Sequence, residues 1–206
     1  MSVKVCLVDA GTGNLRSVQH ALLSLGAEVL RTSDPNEVTR SSCLVMPGVG
    51  AFGRFMQGMQ QSGLSEAVKT AVANGVPTLG ICVGMQAFFD LSLELGEWPG
   101  LGLIPGQVVR FEDQPGLKIP HTGWNTFEST LPNPLLKGLE KSPFTYFNHS
   151  FYCRPANPAD ILATTDYGVR YASIVGRGNL FGVQFHPEKS QRVGLTLLNN
   201  FLNLAS

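Results

Sequence analysis

Short apolar runs recur through the first half of the chain, each followed by a stretch with helical spacing, and this alternation limits the fold more than any other feature. The runs are residues 3–8 (VKVCLV), 27–31, 43–46 and 77–82. Between them, Leu15, Val18, Leu22 and Leu25 fall at helical intervals until Gly26, and Leu64, Val68, Ala71 and Val72 do so until Asn74 and Gly75. Glycine just past the last periodic residue is a helix stop. Strand-length apolar runs alternating with amphipathic helices read as βαβ units, hence an α/β fold whose central, mostly parallel sheet is flanked by helices on both faces. Residues 84–93 read as the helix after the fourth run.

From about residue 101 to residue 183 the pattern changes to β-type runs (LIPGQVVRF, FTYFNHSFYC, ILATT, YASIVGRGNLFGVQF) broken by Pro, Asn and Gly. These predict additional antiparallel strands, with GRGN at 176–179 as a hairpin turn. Val193, Leu197, Leu198, Phe201 and Leu202 form one stripe of a closing helix. With 206 residues and no linker, repeat or charged tail, the expectation is one domain spanning 1–206.

Charge narrows the class of partner. Fifteen Lys and Arg balance fifteen Asp and Glu, so nothing favours nucleic acid or an anionic membrane. Only 15% of the chain is charged, against about 25% in an average domain, which suggests a surface that is partly covered. The opening MSVKVCLVDAG has no export signal, and no run approaches the roughly 18 apolar residues of a membrane span, so a cytoplasmic location is expected. Cys6, Cys43, Cys82 and Cys153 are scattered without metal-ligand spacing; the expectation is reduced thiols, no metal and no cofactor.

Gly80-Ile81-Cys82-Val83-Gly84 lies where an apolar run turns into a helical stretch, the pattern of a nucleophile elbow with Cys in place of Ser. Small neighbours allow the sharp turn, and the start of a helix favours a thiolate. Of the four histidines, His20 reads as a surface residue on the first helix. His121 and His149 sit in polar, turn-rich stretches, where they either bind substrate or hydrogen-bond a loop. His186 is followed two positions later by Glu188 across a proline, and in extended chain such residues face one side. That supplies a base and its orienter, so Cys82, His186 and Glu188 form a candidate triad.

GVGAFG at 48–53 matches GxGxxG, but it follows the third run and a proline, and Glu66 behind it falls inside a helix. A dinucleotide fingerprint belongs after the first strand with an acid at the end of the next. The better reading is an oxyanion loop, with the amide of Val83 as second donor. From the residues alone, a cysteine hydrolase acting on peptides or esters, or a non-catalytic nucleotide-binding module, stays open.

GICVGMQ and GVQFHPEKS resemble the elbow and His-Pro-Glu signatures of the triad (class I) glutamine amidotransferases. DAGTGNLRSV, MPGVGAFG, GLGLIPGQVVRF, PHTGWN and YFNHSFY are similar to one branch of that family, glutaminase subunits that feed ammonia to a cyclase subunit in histidine biosynthesis. The matches run in order from Asp9 to the last helix. The resemblance implies a flavodoxin-like fold and hydrolysis of L-glutamine to glutamate and ammonia through a Cys82 thioester. His186 would serve as base and acid and Glu188 as its orienter. Val49 would belong to the oxyanion strand; Gly50, Gln86, His149, Ser150 and Phe151 would hold the substrate. Asn14, Tyr146 and Lys189 would face a barrel-shaped cyclase in a heterodimer. Paralogues with the same triad supply other synthases, sugar amidotransferases among them. Three positions depart from the family's commoner residues: Val83 (Leu), Thr122 (Met) and Asn148 (Val).

Overall fold

The computed structural model describes residues 2–130 and 132–205. The apolar runs of the first half become β1 (Lys4–Val8), β2 (Glu28–Thr32), β3 (Leu44–Gly48) and β4 (Thr78–Cys82). Between them stand α1 (Leu15–Ser24), α2 (Pro35–Thr39), α3 (Phe52–Gln61) and α4 (Leu64–Ala73). The chain continues through α5 (Val83–Gln86), β5 (Phe89–Ser92), β6 (Trp98–Pro99), β7 (Ile104–Arg110), β8 (His121–Thr126), β9 (Glu128–Ser129), β10 (Phe144–His149) and β11 (Phe151–Pro155). It closes with β12 (Ile161–Asp166), β13 (Arg170–Arg177), β14 (Leu180–Val183) and α6 (Gln191–Leu204).

The main sheet runs β2-β1-β3-β4-β14-β13-β11-β7-β5-β6, parallel from β2 through β14 and mixed beyond it, with β12 and then β9 joined to β13. Every residue of β3, β4 and β14 is buried, as parallel strands covered on both faces must be. α1 packs with α6, while α2 and α3 pack with α4. A separate antiparallel pair, β8 with β10, stands beside the main sheet. The turn between β13 and β14 holds only Gly178 and Asn179, with φ of +60° at the glycine.

Two expectations need correction. Residues 84–93 do not form one helix: α5 makes a single turn and the chain becomes β5. The carbonyls of Ala87, Phe88, Phe89 and Asp90 are taken by amides of residues 100–104, so no further helical turn can use them. His121 and His149 do not lie in loops. They are buried and face each other across the β8–β10 pair, a strand pairing that the polar PHTGWN and YFNHS stretches conceal.

Candidate active site

The carboxyl ends of β3, β4 and β14 are neighbours in the sheet, and open α/β sheets bind ligands at such ends. β4 ends at Cys82, which has φ of +55° and ψ of −113°, a conformation rare for a residue with a side chain. Strain of this kind costs on the order of 1–3 kcal/mol and persists only where surrounding packing enforces it. Here the enforcement is steric. A Cβ at Gly84 would overlap the Met46 carbonyl oxygen, and one at Gly80 would sit 2.7 Å from the Met85 nitrogen. Both glycines let the first turn of α5 press against β3 and β4, with Cys82 at the corner.

His186 lies just beyond β14, and its Nδ1 is 3.0 Å from Glu188 Oε1, both side chains almost wholly enclosed. Its other contact is the Cys82 side chain. Burial alone would lower the imidazolium. Hydrogen bonds to Cys82 and Glu188, and the electrostatic pull of these two groups, outweigh burial and lift it to about 10. An imidazole beside the sulfur, oriented by a carboxylate, is the geometry in which a thiol and an acid–base group can work together.

These side chains open onto a cavity of about 290 Å³. Cys82, His186, Val49, Val83, Gly50, Gln86, His149, Ser150 and Phe151 line it together, and Lys189 reaches its edge. Glu188 sits behind His186. Gln86 is buried and donates from Nε2 to the Phe151 carbonyl at 3.1 Å. Asn14 lies apart, at the start of α1, accepting from Ser17. Tyr146 is on β10, with Lys189 Nζ 5.6 Å from its ring centre.

The model of the family Glutamine amidotransferase class-I matches residues 6–204. The chain belongs to that family. Among curated relatives, the imidazole glycerol phosphate synthase subunit HisH of Salinibacter ruber is 45% identical over 96% of this chain and 93% of its own length. HisH of Symbiobacterium thermophilum is 48% identical over 96% and 92%. A solved glutamine amidotransferase structure superposes with a TM-score of 0.76 at 23% identity over 98% of each chain, a likeness of fold.

Three residues of this amidotransferase site escape a reading of the sequence. Gln184, fully enclosed, directs its Nε2 at Cys82 Sγ, 3.7 Å away. Ser190 stands at the N-cap of α6 but does not cap it; its hydroxyl donates to the His186 carbonyl at 2.7 Å and accepts from the Tyr146 amide at 3.0 Å. Glu94 Oε2 accepts from the Phe52 amide at 2.6 Å, fixing the start of α3 beside Gly50. Gln184 and Ser190 sit inside the recognisable GVQFHPEKS, so proximity to the motif was the available signal. Glu94 had none, since it lies just past the stretch read as helix. The remaining thiols pack as hydrophobes: burial raises Cys6 to about 11 and Cys43 to about 12. Among the described residues no helix is long and apolar enough to cross a membrane.

Proposed function

We propose that this chain is the glutaminase subunit of an imidazole glycerol phosphate synthase, one domain working in the cytoplasm as a heterodimer with a barrel-shaped cyclase. The observation that carries the catalytic part is the meeting of Cys82 and His186 at the wall of one cavity, with Glu188 holding His186 from behind. The near-full-length similarity to HisH proteins supports the pathway.

In this reading the Cys82 thiolate attacks the side-chain carboxamide carbon of L-glutamine. Amides of Val49 and Val83 take the developing oxyanion, one such donor contributing about 10²–10³ in rate. The C–N bond breaks as His186 gives its proton to the nitrogen, and ammonia leaves. His186, now neutral, takes a proton from water; the water oxygen bonds to the thioester carbon, the C–S bond breaks, and glutamate departs. Glu188 holds the imidazole tautomer through both steps. Gly50, Gln86 and the strand of His149, Ser150 and Phe151 hold the substrate, while Asn14, Tyr146 and Lys189 face the cyclase, which takes the ammonia to form imidazole glycerol phosphate.

The test is glutamate release from glutamine by the chain alone, then with its cyclase subunit and the ribonucleotide substrate. Release that rises in the complex and disappears in Cys82→Ala is the expected result. A chain fully active alone would remove the coupling, and no release in either condition would remove the reading.

A further inference from the structure

Gln184 has no role in the scheme above, yet its side chain is fully enclosed and reaches the sulfur. Its backbone amide donates to the Ser173 carbonyl at 2.9 Å, which pins the residue between β13 and His186. A buried primary amide needs a partner at both ends, so which end faces Cys82 is decided by what faces the other.

The surrounding groups leave one solution. The Phe151 carbonyl can only accept, so Gln86 turns its amino group toward it at 3.1 Å. That same Nε2 is 3.2 Å from the Gln184 side chain, which therefore presents its oxygen, Oε1. The Gln184 amino group is left pointing at Cys82 Sγ, 3.7 Å away. Turning the Gln184 amide over would set two donors against each other at Gln86.

We infer that Gln184 is a further catalytic residue, whose side-chain N–H donates to Cys82 Sγ and stabilises the sulfur whenever it carries negative charge. The inference rests on Cys82 being the nucleophile. A hydrogen bond to an ionised acceptor is about twice as strong as one to a neutral acceptor, so the contact favours thiolate over thiol. The sulfur is charged at two points: before the S–C bond forms, and when that bond breaks and its electron pair returns to Sγ. At the second point the His186 proton comes from the attacking water, and Gln184 supplies the other donor facing the leaving sulfur. Gln86 acts through Gln184 as a positioning residue, in addition to its place in the cavity.

Alkylation tests this without any glutamine. The full chain is treated with iodoacetamide across pH 5–10, and modification at Cys82 is followed by peptide mass spectrometry. Gln184→Met keeps volume and removes the donor; the isosteric Gln184→Glu removes the donor and adds charge. Circular dichroism and thermal melting establish that each variant is folded. The expected result is a pH midpoint for Cys82 alkylation about one unit higher in Gln184→Met, the scale of one charge-assisted hydrogen bond. Gln184→Glu should move further the same way. Turnover of glutamine should fall about tenfold with KM within about twofold, since a tenfold loss corresponds to one pH unit of the same interaction. In the unaltered protein, the Gln184 side-chain NH₂ resonances should titrate with the alkylation midpoint, a readout that needs no variant. Midpoints unchanged in the variants, or NH₂ signals that ignore the titration, would overturn the inference. A shifted midpoint in a protein that releases no glutamate would instead keep Gln184 and remove the glutaminase reading.

Discussion

Thr122 Oγ1 donates to Asn148 Oδ1 at 3.1 Å, and the two residues stand directly opposite each other in the β8–β10 pair. They are also two of the three positions that depart from the commoner family residues, Met and Val. In the sequence these look like unrelated departures 26 positions apart; in the fold they face each other as one polar cross-strand pair. Facing pairs on a sheet are coupled by about 0.2–1 kcal/mol. Thr122→Met and Asn148→Val should therefore each destabilise alone and cost less together than their sum. Urea unfolding of the two single variants and the double variant checks this, and a coupling of zero would make the two departures independent.

His186 is tied to the same pair of strands. The His186 amide donates to the Tyr146 carbonyl at 2.9 Å, and Ser190 closes the return path from the Tyr146 amide to the His186 carbonyl. Any displacement of β10, on whose flank Tyr146 and Lys189 sit, is thus transmitted to the imidazole. Ser190→Ala leaves the buried Tyr146 amide unpaired, while the His186 carbonyl keeps the Lys189 amide at 3.0 Å, a loss of about 1–3 kcal/mol in unfolding free energy. Because the substrate-lining residues are untouched, kcat for glutamine should fall with KM nearly constant. An equal stability loss with unchanged kcat would make Ser190 a purely structural tie.

The parallel half of the fold was legible because β3 and β4 are buried throughout and β1 nearly so, and show as apolar runs; β2, the exposed edge strand, showed only as a short stretch after the Gly26 stop. Cys82, His186 and Glu188 were legible because an elbow and a tautomer-holding carboxylate are local, and local geometry follows from spacing. What stayed hidden depends on distant partners. β5 replaces a helix because residues 100–104 take its carbonyls. FTYFNHSFYC reads as one strand yet divides at Ser150 between two sheets. Gln184 meets Cys82 only after about a hundred residues of intervening chain bring β14 beside β4.

His121, His149 and Tyr171 form a chain whose direction is fixed by its end. The Phe151 carbonyl only accepts, so His149 donates to it from Nδ1 at 2.8 Å. His149 Nε2 is then bare and accepts from the Tyr171 hydroxyl at 3.2 Å, whose oxygen in turn accepts from His121 Nδ1 at 3.2 Å. His121 Nε2 finally accepts from Asn125 at 3.3 Å. A proton added to either ring sets two donors face to face at one joint.

Burial accordingly lowers His121 to about 4 and, chiefly by the same cause, His149 to about 3. In the unfolded chain both titrate near 6.5. Below that value the unfolded state binds protons that the native state refuses, so the contribution of these two rings is present above pH 6.5 and falls as pH drops toward 4 and below. The slope is up to about 1.4 kcal/mol per pH unit for each histidine. His186 acts in the opposite direction: raised to about 10 in the fold, its contribution is complete below pH 6.5 and is lost as pH rises from 6.5 toward 10, so the decline below 6.5 belongs to the other two rings. Thermal melting from pH 7.5 to 4.5 should show the decline, and His121→Asn should reduce its slope; an unchanged slope would mean that ring is not held neutral.

Gly84 offers a test of the elbow that separates steric need from backbone freedom. Its missing Cβ is what lets α5 lie against the Met46 carbonyl, and the neighbouring Gly48, which leads into Val49 and Gly50, would meet the Gly84 nitrogen at 2.8 Å if it carried a Cβ. Gly84→Ala therefore forces β3 and α5 apart at the point where Cys82 is held at φ of +55°. Overpacking a closed core costs about 1–3 kcal/mol, more where backbone cannot yield, and the displaced elbow should also slow alkylation of Cys82. Gly75 is the control: its φ is +83° with nothing within 4 Å of a Cβ, so Gly75→Ala should cost about 1 kcal/mol through backbone strain and leave Cys82 reactivity unchanged. If the two variants lose the same stability and neither alters alkylation, close approach of α5 to β3 is not what seats the cysteine.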